Sequence, residues 1–379
     1  MRISARAVAI AIALTATASA HAQFYTLGPY DTPSSVTNSG IVAGYDDASY
    51  FTWSLAAGRT QIPGAIPGFG TGAIPRITEN GLKLGATNVN PATNKTEIAS
   101  YDTTTGVWTT YGGLGSSSGD GVSGGFGMNA SGTVQVGNAW VNAGSTHAIV
   151  VKNGVLTDLG SNVAGASSRA DAVSDDGSFI GGYQDQSDGY RAAAVWINGV
   201  EQVLTLGGDP LAQVNDVSGN GQWAVGGGGG YVAGGSAYMW NLNSGVKLLD
   251  NPFFAAGFSL TATAVSFDGS VIVGYGENSR FKRLGWIWTE ASGTMLMSDY
   301  AKQFAGYNGE FLQVPLDISP DGRNITGYGL DSNRIDGLGW MISAPVPEPS
   351  TWATMALGLG LLAFLGRRRS ARAANSREA

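Results

Sequence analysis

Apolar and polar positions alternate in short bursts along most of the chain, and the bursts repeat as a phrase. An apolar pair and a Ser are followed by a turn ending in Gly, an apolar strand, a variable loop and another strand closing on Trp or Val. The clearest copies are Ala172-Val173-Ser174-Asp175-Asp176-Gly177, Asp216-Val217-Ser218-Gly219-Asn220-Gly221, Ala264-Val265-Ser266-Phe267-Asp268-Gly269 and Asp317-Ile318-Ser319-Pro320-Asp321-Gly322. Weaker copies place their turn Gly at Gly40, Gly81 and Gly132, which makes seven. Successive turn glycines lie 41, 51, 45, 44, 48 and 53 residues apart, yet 19 residues separate turn Gly and strand end in four consecutive units: Gly132 to Val151, Gly177 to Trp196, Gly221 to Trp240 and Gly269 to Trp288. Phe179–Tyr183, Ala193–Trp196 and Val203–Leu206 carry the β-branched and aromatic residues that suit strands. Asn153-Gly154 and Asn198-Gly199 predict two-residue hairpins, because both turn positions need positive φ. Helical periodicity is absent from the body.

A four-stranded antiparallel unit of about 46 residues, repeated seven times, predicts an all-β, seven-bladed β-propeller over residues 23–344, with the strand before each Ser turn innermost. A β-solenoid or paired β-sandwiches are the alternatives, but solenoid coils stack in parallel whereas Asn-Gly hairpins join antiparallel neighbours. The last unit lacks room for a fourth strand. Phe24-Tyr25-Thr26-Leu27-Gly28 resembles the fourth-strand phrases Val203–Gly207 and Val155–Gly160, so an N-terminal strand paired with the Trp340 strand is expected to close the fold and leave no open edge. The repeats resemble the HAF family of extracellular repeats and, more loosely, WD-repeat blades; Tyr101 in place of Trp in unit two and compression around Trp53 in unit one depart from the pattern.

Both chain ends read as addresses. Arg2 and Arg6 precede an apolar stretch from Ala7 to about Ala18, and Ala20 and Ala22 supply the small residues a signal peptidase requires, so residues 1–22 are expected to be removed. At the other end, Pro347-Glu348-Pro349 is followed by apolar residues 351–366 and then by Arg367-Arg368-Arg369. As a helix that run is about 24 Å long against a hydrocarbon core of roughly 30 Å, a marginal span suited to a temporary anchor. Residues 345–370 resemble the PEP-CTERM sorting signal. The resemblance implies recognition by an exosortase, passing residence in the inner membrane, and a destination at the cell surface or in an exopolysaccharide or biofilm matrix.

Composition narrows the chemistry. Seven Arg and two Glu lie in the two flanking signals, which leaves 14 basic and 26 acidic residues in the exported part. A nucleic acid is a poor partner for that balance, since such binding rests on cations neutralising phosphates. With no Cys, and only His147 outside the signal peptide, thiolate and histidine sites have little to build on, and no metal or cofactor is expected. His147 itself reads as a strand-edge residue. Asp185–Gly189 lacks the spacing of a calcium loop, and the glycine run from Gly226 to Gly230 lacks the Lys-Ser/Thr of a phosphate loop.

Two function classes follow. Glycoside hydrolysis needs only a pair of carboxylates, and Asp171, Asp216 and Asp317 fall on predicted inner strands, where a channel would receive them. Asp176, Asp268 and Asp321 are explained by their turns. Among the Trp residues, Trp53, Trp286 and Trp340 read as packing between repeats, whereas Trp140 and Trp223 fit the repeat less well and are candidates for stacking on sugar. The expected function is that of a non-enzymatic surface protein binding exopolysaccharide or a protein partner; the alternative is a carbohydrate-active hydrolase or lyase.

Overall fold

The structure, a computed structural model, describes residues 22–64, 74–227 and 235–344, and Ala22–Ala344 form one compact unit. The predicted signal peptide, the sorting segment and most of the glycine run lie outside the described residues. Within them the fold is all-β: five four-stranded antiparallel sheets, one eight-stranded sheet in which two four-stranded sets are joined where Gly227 pairs with Thr261, and a two-stranded hairpin, with an α-helical turn at Met297–Ala301 and a 3-10 turn at Phe254–Ala256. These two turns sit in connections between sheets, where no strand pattern was present to exclude them.

The Ser turn joins the innermost strand to the second strand of its unit. In four units the turn Gly donates its N–H to the Ser carbonyl (Gly177 to Ser174, Gly221 to Ser218, Gly269 to Ser266, Gly322 to Ser319), and the Ser hydroxyl accepts an N–H from five residues on. The glycines have φ between 68° and 81°, a left-handed backbone that an L side chain resists. The 19-residue spacing proves to be strand register: Gln135 faces Val151, Ile180 faces Trp196, Ala224 faces Trp240 and Ile272 faces Trp288. Asn153 and Asn198 adopt φ of 50° and 52° ahead of Gly154 and Gly199, as a two-residue hairpin demands.

One strand boundary differs from expectation. The outer strand of unit four is Val200–Val203, while Thr205–Leu206 pairs instead with Asp209–Pro210 in a small separate hairpin. Gly207 and Gly208, both at positive φ, turn the chain back on itself before a longer outer strand can form.

The core is divided among the joints between sheets. Phe179 and Trp240 stack across the joint of units four and five, Val265 and Trp286 fill the next with Met239, and Val36, Val42 and Met341 occupy the joint of units one and seven. The inner strands Thr32–Val36, Arg76–Ile77, Ser123–Met128, Ser168–Val173, Gln213–Val217, Ser259–Val265 and Phe311–Ile318 touch in chain order, and the last touches the first. Hydrogen bonds between neighbouring turns follow the same circuit: Asn38 N–H to Glu79, Glu79 N–H to Ala130, Ala130 N–H to Asp175, Asp175 N–H to Gly219, Asn220 N–H to Phe267, Phe267 N–H to Pro320, and Asp321 N–H to Asn38.

The N-terminal strand Gln23–Pro29 lies antiparallel to Gly337–Ser343, with Phe24 opposite Ile342 and Thr26 opposite Trp340. Phe24 is buried in the cluster that holds Trp340 and Leu312, and its ring meets Tyr307 edge-on at 5.4 Å. Phe24→Ala is therefore expected to lower unfolding free energy by about 3–5 kcal/mol, read from urea denaturation. A loss below about 1 kcal/mol would mean that this strand does not carry the joint.

Candidate functional site

The inner strands are bulged, and the bulge sets which side chains face the axis. In six of them the register slips at the residue three before the turn Ser or its equivalent, leaving Ser34, Phe126, Asp171, Asn215, Thr263 and Leu316 unpaired. The next residue reaches toward the neighbouring unit. Ser35 accepts the N–H of Ile77 (3.1 Å), Asp216 that of Val265 (2.9 Å) and Asp317 that of Val36 (2.7 Å). Asp216 and Asp317 thus occupy equivalent positions, whereas Asp171 stands one residue earlier, on the bulge, and bonds Arg169 Nε (2.7 Å) and Gln213 Nε2 (3.1 Å).

Arg76 holds the group together. Its Nη1 donates to Asp317 (2.7 Å) and to the Ser34 carbonyl (3.0 Å), so one cation from unit two meets a carboxylate of unit seven and a backbone oxygen of unit one. Burial pushes the Asp317 carboxyl up, against the pull of Arg76, and burial pushes Asp171 up against Arg169. Asp216 is pushed up to about 7, first by desolvation and further by the charge of Asp317, with Arg76 opposing. A cavity of about 110 Å³ lies on the turn side of this cluster and one of about 370 Å³ on the loop side; Arg76 and Asp171 border both. A carboxyl that exchanges its proton near neutrality can act as a general acid. The N–H of Val265, however, already takes one oxygen of Asp216, and Arg76 and Val36 N–H occupy both oxygens of Asp317.

The remaining candidates resolve into local structure. His147 Nδ1 lies 3.0 Å from Asp158 on the adjacent strand. Asp176, Asp268 and Asp321 accept the hydroxyls of Ser174, Ser266 and Ser319, and backbone and hydroxyl bonds of this kind lower the Asp176 and Asp268 carboxyls. Residues 185–189 form a polar turn in which Gln186 N–H donates to Tyr190 O and Gly189 N–H to Gln186 O. Among the described residues no cluster of three or more His, Asp or Glu could hold a metal ion. Trp286 and Trp340 are fully buried, and Trp53 packs against Tyr25 at 5.6 Å. Trp140 and Trp223 are half-buried, and the Trp223 ring lies over Gly269 so closely that no Cβ would fit there. Arg76 and Arg169 were missed by sequence reasoning. Arg76 lies two before Thr78, the register of Asp216 and Asp317, so aligning that column would have found it.

The tail carries a sorting motif. Residues 345–369 match the family described as the PEP-CTERM protein-sorting motif, which implies an exported, exosortase-sorted protein with a transient membrane anchor. No helix among the described residues is long and apolar enough to cross a membrane, and the predicted span at 351–366 lies outside them. No curated protein matches the chain. Among solved structures, a prolyl endopeptidase from a study of inter-domain dynamics in catalysis and specificity aligns at 10% identity over 86% of this chain and 50% of its own, with a TM-score of 0.51. The β-propeller domain of the Trilobed protease from Pyrococcus furiosus aligns at 12% identity over 86% and 94% of the two chains, at 0.48. TolB from Acinetobacter baumannii aligns at 15% identity over 73% of this chain, at 0.42, and the chain spans 63% of that protein's length. These likenesses concern the fold alone, and the fold is all-β with propeller-like neighbours.

The Asp216 shift fixes the sign of a pH dependence. A carboxyl whose folded value lies above its unfolded one keeps a proton that the unfolded chain has lost, so stability falls as pH rises from about 4 to about 7. Asp216→Asn leaves an amide oxygen for the Val265 N–H but cannot titrate. Its urea midpoint is expected to fall less between about pH 4.5 and about pH 7.5 than that of the parent protein. Parallel profiles would show that Asp216 does not hold a proton in the fold.

Proposed function

We propose that this protein is an exported, non-enzymatic binding module of the cell surface. In this reading residues 1–22 are a signal peptide, 23–344 a seven-bladed β-propeller of HAF-like repeats closed by its N-terminal strand, and 345–370 the sorting signal with its anchoring helix at 351–366. Signal peptidase and an exosortase process the two ends, and the propeller meets exopolysaccharide, in a biofilm matrix, or a surface protein.

One observation carries the choice against catalysis: Asp216 and Asp317, the carboxylates best placed for it, each accept a backbone N–H from the next unit and so serve the joints. The second reading, a carbohydrate-active hydrolase or lyase, is favoured by the Asp216 carboxyl at about 7, in the range of a general acid. Incubating the secreted protein with matrix polysaccharide separates them. The binding reading expects co-sedimentation with unchanged chain length, in the parent and in Asp216→Asn alike; chain shortening abolished by Asp216→Asn would establish the enzyme.

The sorting step has its own readout. Replacing Pro347, Glu348 and Pro349 by Ala is expected to leave an unprocessed, membrane-associated species on immunoblots of fractionated cells. The parent should yield a shorter form outside the inner membrane. Processing that survives the triple replacement would remove exosortase recognition from the account.

A further inference from the structure

The loop-side cavity of about 370 Å³ lies at the lower end of the range that buries a small molecule. Its walls come from inner strands of several units, so its shape is set by the sheets rather than by a single loop. Two guanidinium groups border it with donors to spare. Arg169 engages the protein through Nε alone, and Arg76 through Nη1 alone, among the described residues. Arg169 is held in place by stacking: its guanidinium lies 4.3 Å from the Phe126 ring centroid and 4.9 Å from that of Tyr183, while Asp171 fixes its inner edge. A planar fork immobilised in this way, with both Nη atoms free, matches a carboxylate in two-point geometry.

Charge selects the kind of anion. Asp171 and Asp317 already offset Arg169 and Arg76, so the cavity suits a group of single charge better than a phosphate ester. Gln213, Asn215 and Tyr275 border the same wall; Gln213 is engaged by Asp171 and Arg191 and the Asn215 amide nitrogen by Ala262 O, which leaves the Asn215 amide oxygen, with Tyr275 beside it, to meet hydroxyls. We infer that this cavity binds the uronic-acid end of a saccharide, its carboxylate on the free fork of Arg169 with Arg76 nearby and its ring hydroxyls on the amide wall. The inference rests on the binding-module reading and gives it a substrate class.

Calorimetry on the secreted, processed protein tests it, with a hexuronic-acid trimer, a neutral hexose trimer and isolated matrix polysaccharide as three probes. The uronate trimer is expected to bind at least about tenfold tighter than the neutral one, and Arg169→Met to erase that advantage. Ala212→Trp fills the cavity from a wall that carries none of these bonds, and should abolish binding even if Arg169→Met fails to fold. Equal affinity for both trimers, or uronate binding untouched by a folded Arg169→Met or by Ala212→Trp, overturns the inference while leaving the module. Binding of the polysaccharide alone does the same. Absence of binding by all three overturns the polysaccharide-binding form of the module reading as well.

Discussion

A small sheet with apolar side chains on both faces can be stable only between two others, and everything in this fold follows from that need. The buried residues fall into clusters that each straddle a joint: Ile77 and Leu84 meet Ala43 and Tyr50, Val134 and Val136 meet Ile180 and Trp196, Ala264 and Val273 meet Leu312 and Trp340. Among the described residues no unit has a buried cluster of its own to fall back on. Loss of any one joint would expose apolar faces on two sheets, so contact between the first and last units, through Val36, Val42 and Met341, carries as much weight as any joint inside the chain.

The polar groups obey the same constraint. Close approach of inner strands turns the N–H groups of Val36, Ile77 and Val265 toward a neighbouring unit, and a buried N–H without an acceptor costs about as much as a lost hydrogen bond. Ser35, Asp216 and Asp317 supply acceptors from the preceding unit. Two carboxylates near one arginine are an expensive way to do so, since desolvation raises both and the charge of Asp317 raises Asp216 further, to about 7. The same cluster borders cavities on its turn side and its loop side. Structural stapling and ligand recognition therefore share residues, and the free donors of Arg76 and Arg169 are what remains after the staples are made.

The local architecture was written plainly in the residues. A Ser followed by a Gly three positions on specifies the tight turn, Asn-Gly specifies the hairpin, and a constant 19-residue spacing is the register of three strands, all set by backbone conformation within a few residues. The candidate site was half legible. Asp216 and Asp317 could be placed on inner strands by the repeat, but Asp171 was grouped with them although it stands three residues before its Ser rather than two, at the bulge position that Asn215 and Leu316 fill in those units.

What the sequence determined by itself is the repeating unit, the all-β class and the sorting tail, since each depends on short-range pattern that every copy states again. Which side chains meet at the axis was decided only by tertiary structure. Arg76 and Asp317 are 241 residues apart and Val36 and Asp317 are 281 apart, so their contact exists only when the last inner strand lies beside the first. Their charges, protonation and free donors are properties of that assembly, because burial and proximity, which shift a carboxyl or orient a guanidinium, belong to no single stretch of chain.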